Sequence, residues 1–115
     1  MLRSIVAAGS LSILVVAQQV YQVGDPGVIA PVAITQRQAH YTGSARERGI
    51  EGNVRMQVVV REDGAVSDVR VTQSLDDDLD GQAVDAVKQW TFRPGTKDGE
   101  PVPVQVALVI RFTLR

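Results

Sequence analysis

Residues 53–72, "NVRMQVVVREDGAVSDVRVT", carry two runs of apolar residues on either side of an Asp63-Gly64 pair. In both runs apolar and polar side chains alternate, which is the period of a strand with one buried face. Asp-Gly is the strongest short hairpin signal because both residues tolerate positive φ. We therefore predict a β-hairpin with strands over residues 53–62 and 66–72. The alternation loses phase near Ser67, where we expect a bulge.

The pattern changes period after the hairpin. Apolar residues then recur at the three- and four-residue spacing of one helical face, at Leu79, Ala83, Ala86, Val87 and Trp90. This spacing predicts a helix over residues 79–90, which Pro94 and Gly95 prevent from continuing. Strict alternation returns over residues 102–114 and predicts a third strand.

Together these elements predict an α+β fold. A short helix over residues 42–49 leads into a β-β-α-β order, and the long helix returns the chain across one face of the sheet. The third strand then pairs with the first, which gives a three-stranded antiparallel sheet in the order 2-1-3. The one long helix packs on this sheet to form a two-layer sandwich. The third strand lies at an edge, where Pro103 is tolerated because proline has no N–H to donate.

The predicted edge strand is long and carries few outward charges. An open edge can receive an extended segment of a partner protein, a binding mode called β-augmentation. The sequence equally allows the segment before the short helix, or a second copy of the chain, to cover this edge. Both alternatives stay open on the sequence alone.

Composition argues against several other function classes. The 115-residue chain has one histidine and no cysteine, which are too few ligands for a zinc site and supply no base for a hydrolytic nucleophile. Its formal net charge is -1 and its basic residues are scattered, so we expect no nucleic-acid binding. We expect no cofactor and no enzymatic activity.

An acidic run, Asp76-Asp77-Asp78-Leu79-Asp80-Gly81, resembles the beginning of a calcium-binding loop. Such a loop needs a bidentate glutamate at its twelfth position. That position is Val87, which belongs to the apolar face of the predicted helix. We therefore predict no metal site and interpret the run as an acidic helix start with Asp78 as the N-cap.

Residues 1–17, "MLRSIVAAGSLSILVVA", have the features of a secretory signal peptide: a basic Arg3, an apolar run and small residues at the end. The apolar run is shorter than the roughly 20 residues that span a bilayer. We predict cleavage after Ala17, then an extended lead-in over residues 18–40 and a domain over residues 41–115. The alternative is an uncleaved membrane anchor.

Four motifs together resemble the C-terminal domain of TonB-family energy transducers. They are the run from Ala45-Arg46 to Gly49-Ile50-Glu51-Gly52, the hairpin Asp63-Gly64-x-Val66, the pair Leu79-Asp80…Ala83 and Trp90-x-Phe92-x-Pro94-Gly95, and the final strand. The resemblance covers about residues 41–114. It implies a periplasmic protein, not an enzyme, that couples the inner-membrane proton gradient through a motor complex to outer-membrane receptors.

The resemblance also implies a binding site, because in this family the last strand pairs with an extended N-terminal segment of the receptor. The corresponding positions here are Val102, Val104, Gln105, Val106, Ala107, Leu108, Val109 and Arg111, with Tyr41 and Arg46 as accessory contacts. We expect a periplasmic module that binds an outer-membrane receptor or another periplasmic protein. The alternatives are a short transducer anchored in the inner membrane and a structural or homodimerising domain. Residues 18–40 are too short to cross the periplasm, so we do not expect force transmission by this chain alone.

Overall fold

A four-stranded sheet is the centre of the fold in the computed structural model, which describes residues 19–114. In chain order the elements are β1 (Tyr21–Gln22), β2 (Val28–Ile29), β3 (Val32–Thr35), α1 (Gly43–Glu47), β4 (Gly52–Val60), β5 (Val66–Gln73), α2 (Asp77–Val87), β6 (Thr91–Arg93), β7 (Thr96–Lys97), β8 (Glu100–Pro101) and β9 (Val104–Phe112). The predicted α+β class is confirmed.

The strand order in this sheet is β1-β9-β4-β5. Strand β4 lies between β5 and β9 and is antiparallel to both, whereas β1 is parallel to β9. The prediction of a three-stranded sheet is therefore wrong in strand number, because the lead-in adds a strand. Two smaller sheets, β2-β7-β8 and β3-β6, fix the rest of the lead-in to the segment after α2.

The hairpin of β4 and β5 contains the irregularity that the sequence predicts. The cross-strand partner changes from Arg70 opposite Gln57 to Ser67 opposite Val59, so β5 has one more residue than β4 in this interval. Asp68 lies in the extra stretch with a φ of 51°. The bulge predicted near Ser67 is confirmed, and it keeps the apolar residues on both sides of it facing the helix layer.

Helix α2 closes the core on one face of the sheet. Its inward residues Leu79, Ala83 and Val87 are fully buried. They pack in one cluster with the fully buried inward side chains of β4, which are Val54, Met56, Val58 and Val60. The helix ends at Val87, earlier than predicted, and Trp90 lies beyond it. Trp90 instead directs its Nε1 toward the lead-in and donates to the Arg37 carbonyl at 2.8 Å.

The N-cap of α2 is Asp76, so the prediction of Asp78 is wrong. Asp76 has an extended backbone, and its carboxylate accepts from the Leu79 N–H at 3.2 Å. The other carboxylate oxygen pairs with Arg48 Nη1 at 2.8 Å, which ties the start of α2 to the end of α1. Asp78 already lies within the first turn. The acidic run therefore caps a helix, and within residues 19–114 no cluster of His, Asp or Glu is placed to hold a metal ion.

A row of polar side chains crosses the solvent face of the sheet and joins all four strands. Gln22 Nε2 donates to Gln105 Oε1 at 3.1 Å, and Gln105 Nε2 donates to Gln57 Oε1 at 2.8 Å. Arg70 of β5 donates to the same oxygen of Gln57. The short strand β1 is thus held by side chains as well as by its backbone.

The predicted signal peptide lies outside the described residues. In the part of the chain that the structure describes, no helix combines the length and the apolar surface that a bilayer crossing requires.

The hairpin turn gives a test of the backbone. Gly64 has a φ of 87°, and a Cβ at this position would lie 2.1 Å from the Phe92 carbonyl oxygen. We expect Gly64→Ala to lower the free energy of unfolding by about 1–3 kcal/mol. Gly81→Ala is the matched control, because Gly81 is in α2 with open space around it and should gain up to about 1 kcal/mol. Urea unfolding measures both, and effects of the same sign would contradict this account.

The Asp76 cap gives a test of pH dependence. The Arg48 hydrogen bond holds the pKa of Asp76 below its ordinary value of 3.8, and the Leu79 N–H adds to this effect although partial burial opposes it. A lowered pKa in the folded chain means that the contribution to stability is present above pH about 4 and is lost as the pH falls further. Asp76→Asn keeps a good cap but removes the charge.

We therefore expect Asp76→Asn to destabilise the chain at neutral pH, and we expect its difference from the wild-type chain to shrink steadily as the pH falls below about 4. Chemical unfolding at a series of pH values measures the difference. Asp77→Asn, an exposed neighbour that forms no ion pair within residues 19–114, should change the profile much less. A difference between Asp76→Asn and wild type that is constant with pH would contradict the role of the ion pair.

Candidate partner-binding edge

One edge of β9 is paired only at its beginning. The Tyr21 N–H donates to the Pro103 carbonyl at 3.0 Å, and β1 then runs beside Val104 and Gln105. Along a strand, the backbone groups of successive residues point to opposite sides. The Pro103 carbonyl points to the side of β1, away from β4. The N–H and C=O groups of Ala107, Val109 and Arg111, which follow at even spacing, therefore point to the same side. Within residues 19–114, no strand pairs with them.

The unpaired part of the edge borders a groove of about 840 Å³. Its walls come from the end of the lead-in, from α1, from Trp90 between α2 and β6, and from β9. The lining residues are Gln36, Arg37, Gln38, Ala39, His40, Tyr41, Arg46, Trp90, Val109, Ile110, Arg111, Phe112 and Thr113. On the side of β9 the lining includes Val109 and Arg111, two of the three residues whose backbone groups point to the open side.

The far wall of the groove is fixed at both ends. At one end Trp90 holds the Arg37 carbonyl. At the other end the Tyr41 hydroxyl donates to the Ile50 carbonyl, and the Tyr41 ring packs edge-on against Phe112 with 5.4 Å between centroids. The lead-in therefore forms a positioned wall opposite β9 and does not close over the edge.

Tyr41 also holds a cation in place. The guanidinium carbon of Arg46 lies 4.8 Å from the centroid of the Tyr41 ring, in cation-π geometry. Desolvation raises the pKa of the Tyr41 hydroxyl above its ordinary value, and Glu51 adds to this effect although Arg46 opposes it. Tyr41 thus stays a neutral hydrogen-bond donor. The cluster of Arg46, Tyr41 and Phe112 lies at the end of the groove next to the C-terminal end of β9.

The structure divides the predicted binding residues of the last strand into four sets. Val102 precedes β9 and donates to the Gly95 carbonyl at 3.0 Å. Val104 and Gln105 lie beside β1, and Val106 and Leu108 turn their side chains toward the core. Only three of the predicted residues, Ala107, Val109 and Arg111, present backbone groups at the open edge. Their side chains are exposed.

The predicted accessory residues Tyr41 and Arg46 lie in the groove, as described above. Sequence reasoning missed Trp90, Arg37 and His40, which also line it. A tryptophan at the end of an apolar stripe, directly before the helix-terminating residues, is the only sequence signal that could have found one of them. Arg37 and His40 reach the groove through the path of the lead-in, which no local pattern predicts.

A model of the family described as Gram-negative bacterial TonB protein C-terminal matches residues 37–114. The chain belongs to this family. The family predicted from the sequence motifs is thereby confirmed, and the candidate edge and most of the groove fall inside the matched range.

Similar proteins agree with this assignment. Protein TonB of Vibrio cholerae is 38% identical over 80 residues, which cover 69% of this chain and 33% of that protein. The solution NMR structure of the Pseudomonas aeruginosa TonB C-terminal domain aligns with a TM-score of 0.62 at 24% identity, over 82% of this chain and 93% of that one. A solution NMR structure of the Helicobacter pylori TonB C-terminal domain aligns with a TM-score of 0.51 at 27% identity, over 67% and 70%. The chain thus spans about one third of the Vibrio cholerae protein and shares the fold of two TonB C-terminal domains.

Proposed function

We propose that this chain is a periplasmic binding module of the TonB C-terminal family that acts in energy-coupled transport across the outer membrane. It engages an outer-membrane receptor, or another periplasmic protein, by adding a partner strand to the open edge of β9. The observation that supports this proposal is the unpaired backbone of Ala107, Val109 and Arg111, together with the groove that Val109 and Arg111 line.

The open edge contributes to affinity through backbone hydrogen bonds, and this contribution is modest. A partner strand would gain backbone hydrogen bonds with the N–H and C=O groups of three residues, each worth about 0.5–1.5 kcal/mol net. The alternate side chains of that strand would enter the groove beside Trp90 and Ile110 or lie on the solvent face beside Val109. Binding of this kind is reversible, which suits a protein that must engage and release its partners.

The predicted signal peptide supports a periplasmic location for the module. N-terminal sequencing of the exported chain tests this part, because a start at Gln18 excludes the alternative of an anchor in the inner membrane. The second alternative, a structural domain that pairs edge to edge with another copy, uses the same open backbone. The experiment below separates it from partner binding.

Proline substitutions at the open edge test strand addition. Ala107→Pro and Val109→Pro remove N–H groups that have no strand partner within residues 19–114, and proline is tolerated at strand edges. We expect each to weaken binding of peptides that copy the N-terminal extended segments of outer-membrane receptors by about fivefold or more. Ala107→Ser and Val109→Thr keep the N–H and should bind like the wild-type chain. Calorimetry measures the affinities, and amide NMR spectra verify the fold.

Two results would overturn the proposal. Unchanged peptide affinity in both folded proline variants would exclude addition at this edge. A wild-type chain that forms a stable dimer, ignores the peptides and becomes monomeric on proline substitution would instead support edge pairing between copies.

A further inference from the structure

We propose that the groove beside β9 selects extended segments that carry acidic side chains at an end, with Arg46 and Arg111 as the residues that set this preference. This inference rests on the proposed function and adds the chemistry of the partner. It comes from the distribution of charge around the open edge, not from the edge itself.

Positive charge is concentrated in this groove. Three arginines, Arg37, Arg46 and Arg111, line it together with His40, and its lining contains no aspartate or glutamate. The chain as a whole has 13 acidic and 12 basic residues and a formal net charge of -1. The cationic groove is therefore a local feature of the fold and not a consequence of a basic protein.

These arginines form no salt bridges within the described residues. Within residues 19–114, salt bridges are formed by Arg48, Arg61 and Lys97, and none involves the three arginines of the groove. The contrast within and beside α1 is direct. Arg48 pairs with two aspartates, whereas Arg46, two residues earlier, lies on the Tyr41 ring and forms no ion pair within the described part of the chain. A carboxylate that enters the groove would meet guanidinium groups that are in no ion pair with Asp or Glu within residues 19–114.

Arg46 is also held in position before a partner arrives. Its guanidinium lies on the Tyr41 ring, and that ring is fixed by its hydroxyl and by Phe112. A planar guanidinium that is already placed loses less conformational freedom when it binds a carboxylate, and it can bind both carboxylate oxygens. Arg111 stands at the same end of β9, on the solvent face. Acidic residues at the end of the added strand that reaches Arg111 and Phe112 can therefore pair on either face of the sheet.

The open backbone decides between an acidic protein segment and other anions. The N–H groups of Ala107, Val109 and Arg111 can donate to the carbonyl groups of an added strand. Their own C=O groups can accept from the N–H groups of that strand. A nucleic-acid backbone has acceptors but no regular donors, so it would leave the carbonyl groups of β9 without partners. The combination of an open strand edge and arginines that form no salt bridge within residues 19–114 fits an extended acidic polypeptide.

Charge-matched peptides test this inference. Three probes share a core in which valine alternates with threonine, and they are flanked at both ends by glutamate, glutamine or lysine. We expect the glutamate peptide to bind roughly tenfold more tightly than the lysine peptide, and the glutamine peptide to have an intermediate affinity. Each opposite-charge pair across strands contributes part of this difference in binding free energy. Added salt should reduce the difference.

A charge swap makes the test specific to the groove. In the full chain with Arg46→Glu and Arg111→Glu together, the order of the glutamate and lysine peptides should reverse. Arg93→Glu is the control for the type of charge change, since Arg93 is exposed on β6 and does not line the groove; the order should stay as in wild type. The three substituted residues, Arg46, Arg93 and Arg111, are exposed, and amide NMR spectra verify that each variant folds.

The outcomes separate this inference from the proposed function. Equal affinities for the three peptides, or an order that the charge swap does not reverse, would overturn the acidic preference. Strand addition would still stand if the glutamine peptide bound and Ala107→Pro weakened it. Failure of all three peptides to bind would overturn both proposals. An oligonucleotide that competes as well as the glutamate peptide would show that the groove reads negative charge alone, and this too would overturn the inference.

Discussion

Strand β4 is paired along both edges and buried along one face, and the position of every other part of the site follows from this constraint. Its partners β5 and β9 use both of its edges, and α2 covers its apolar face. Because β4 satisfies only one side of β9, the other side of β9 must find a partner elsewhere or stay open. The open stretch of β9 is thus a consequence of how the core is built.

The lead-in determines how much of that edge stays open. It pairs with β9 at Val104 and Gln105, leaves the sheet, and returns as the wall that ends at Tyr41. The same segment therefore covers the beginning of the edge and shapes the groove along the rest. Of the covers that the sequence allows for this edge, the lead-in takes Val104 and Gln105 and leaves the stretch from Ala107 to Arg111. Cover by a second copy would have to use that remaining stretch.

The parts that sequence reasoning predicts well are those fixed by local chemistry. The period-two patterns of β4 and β9 reflect burial of one face, and the Asp63-Gly64 turn and the bulge near Ser67 are also local. The errors have long-range causes. Strands of two residues, such as β1, are too short to show alternation. Four nearby aspartates can each cap α2, and Arg48, distant in sequence, pairs with the one that does.

The groove shows the same division. Backbone groups of successive residues in β9 point to opposite sides. Once one residue is known to face β4, the residues with open backbone groups can therefore be counted along the strand. The arginines of the groove come from the lead-in, α1 and β9, and no sequence spacing places them together. The spacing of Trp90 continues the apolar stripe of α2 and predicts a helix that includes it, but the helix ends at Val87 and Trp90 packs against the core from the segment beyond it. The path of the folded chain, and not the type of residue, determines where these side chains lie.

The most direct test of the central claim is amide hydrogen exchange of β9, followed by NMR in the free and the peptide-bound chain. The N–H groups of Val106, Leu108 and Ile110 face β4 and should exchange slowly in both states. Those of Ala107, Val109 and Arg111 should exchange fast in the free monomer and become slow when a partner strand binds. Slow exchange of these three groups in the free monomer, or fast exchange in the complex, would contradict the account.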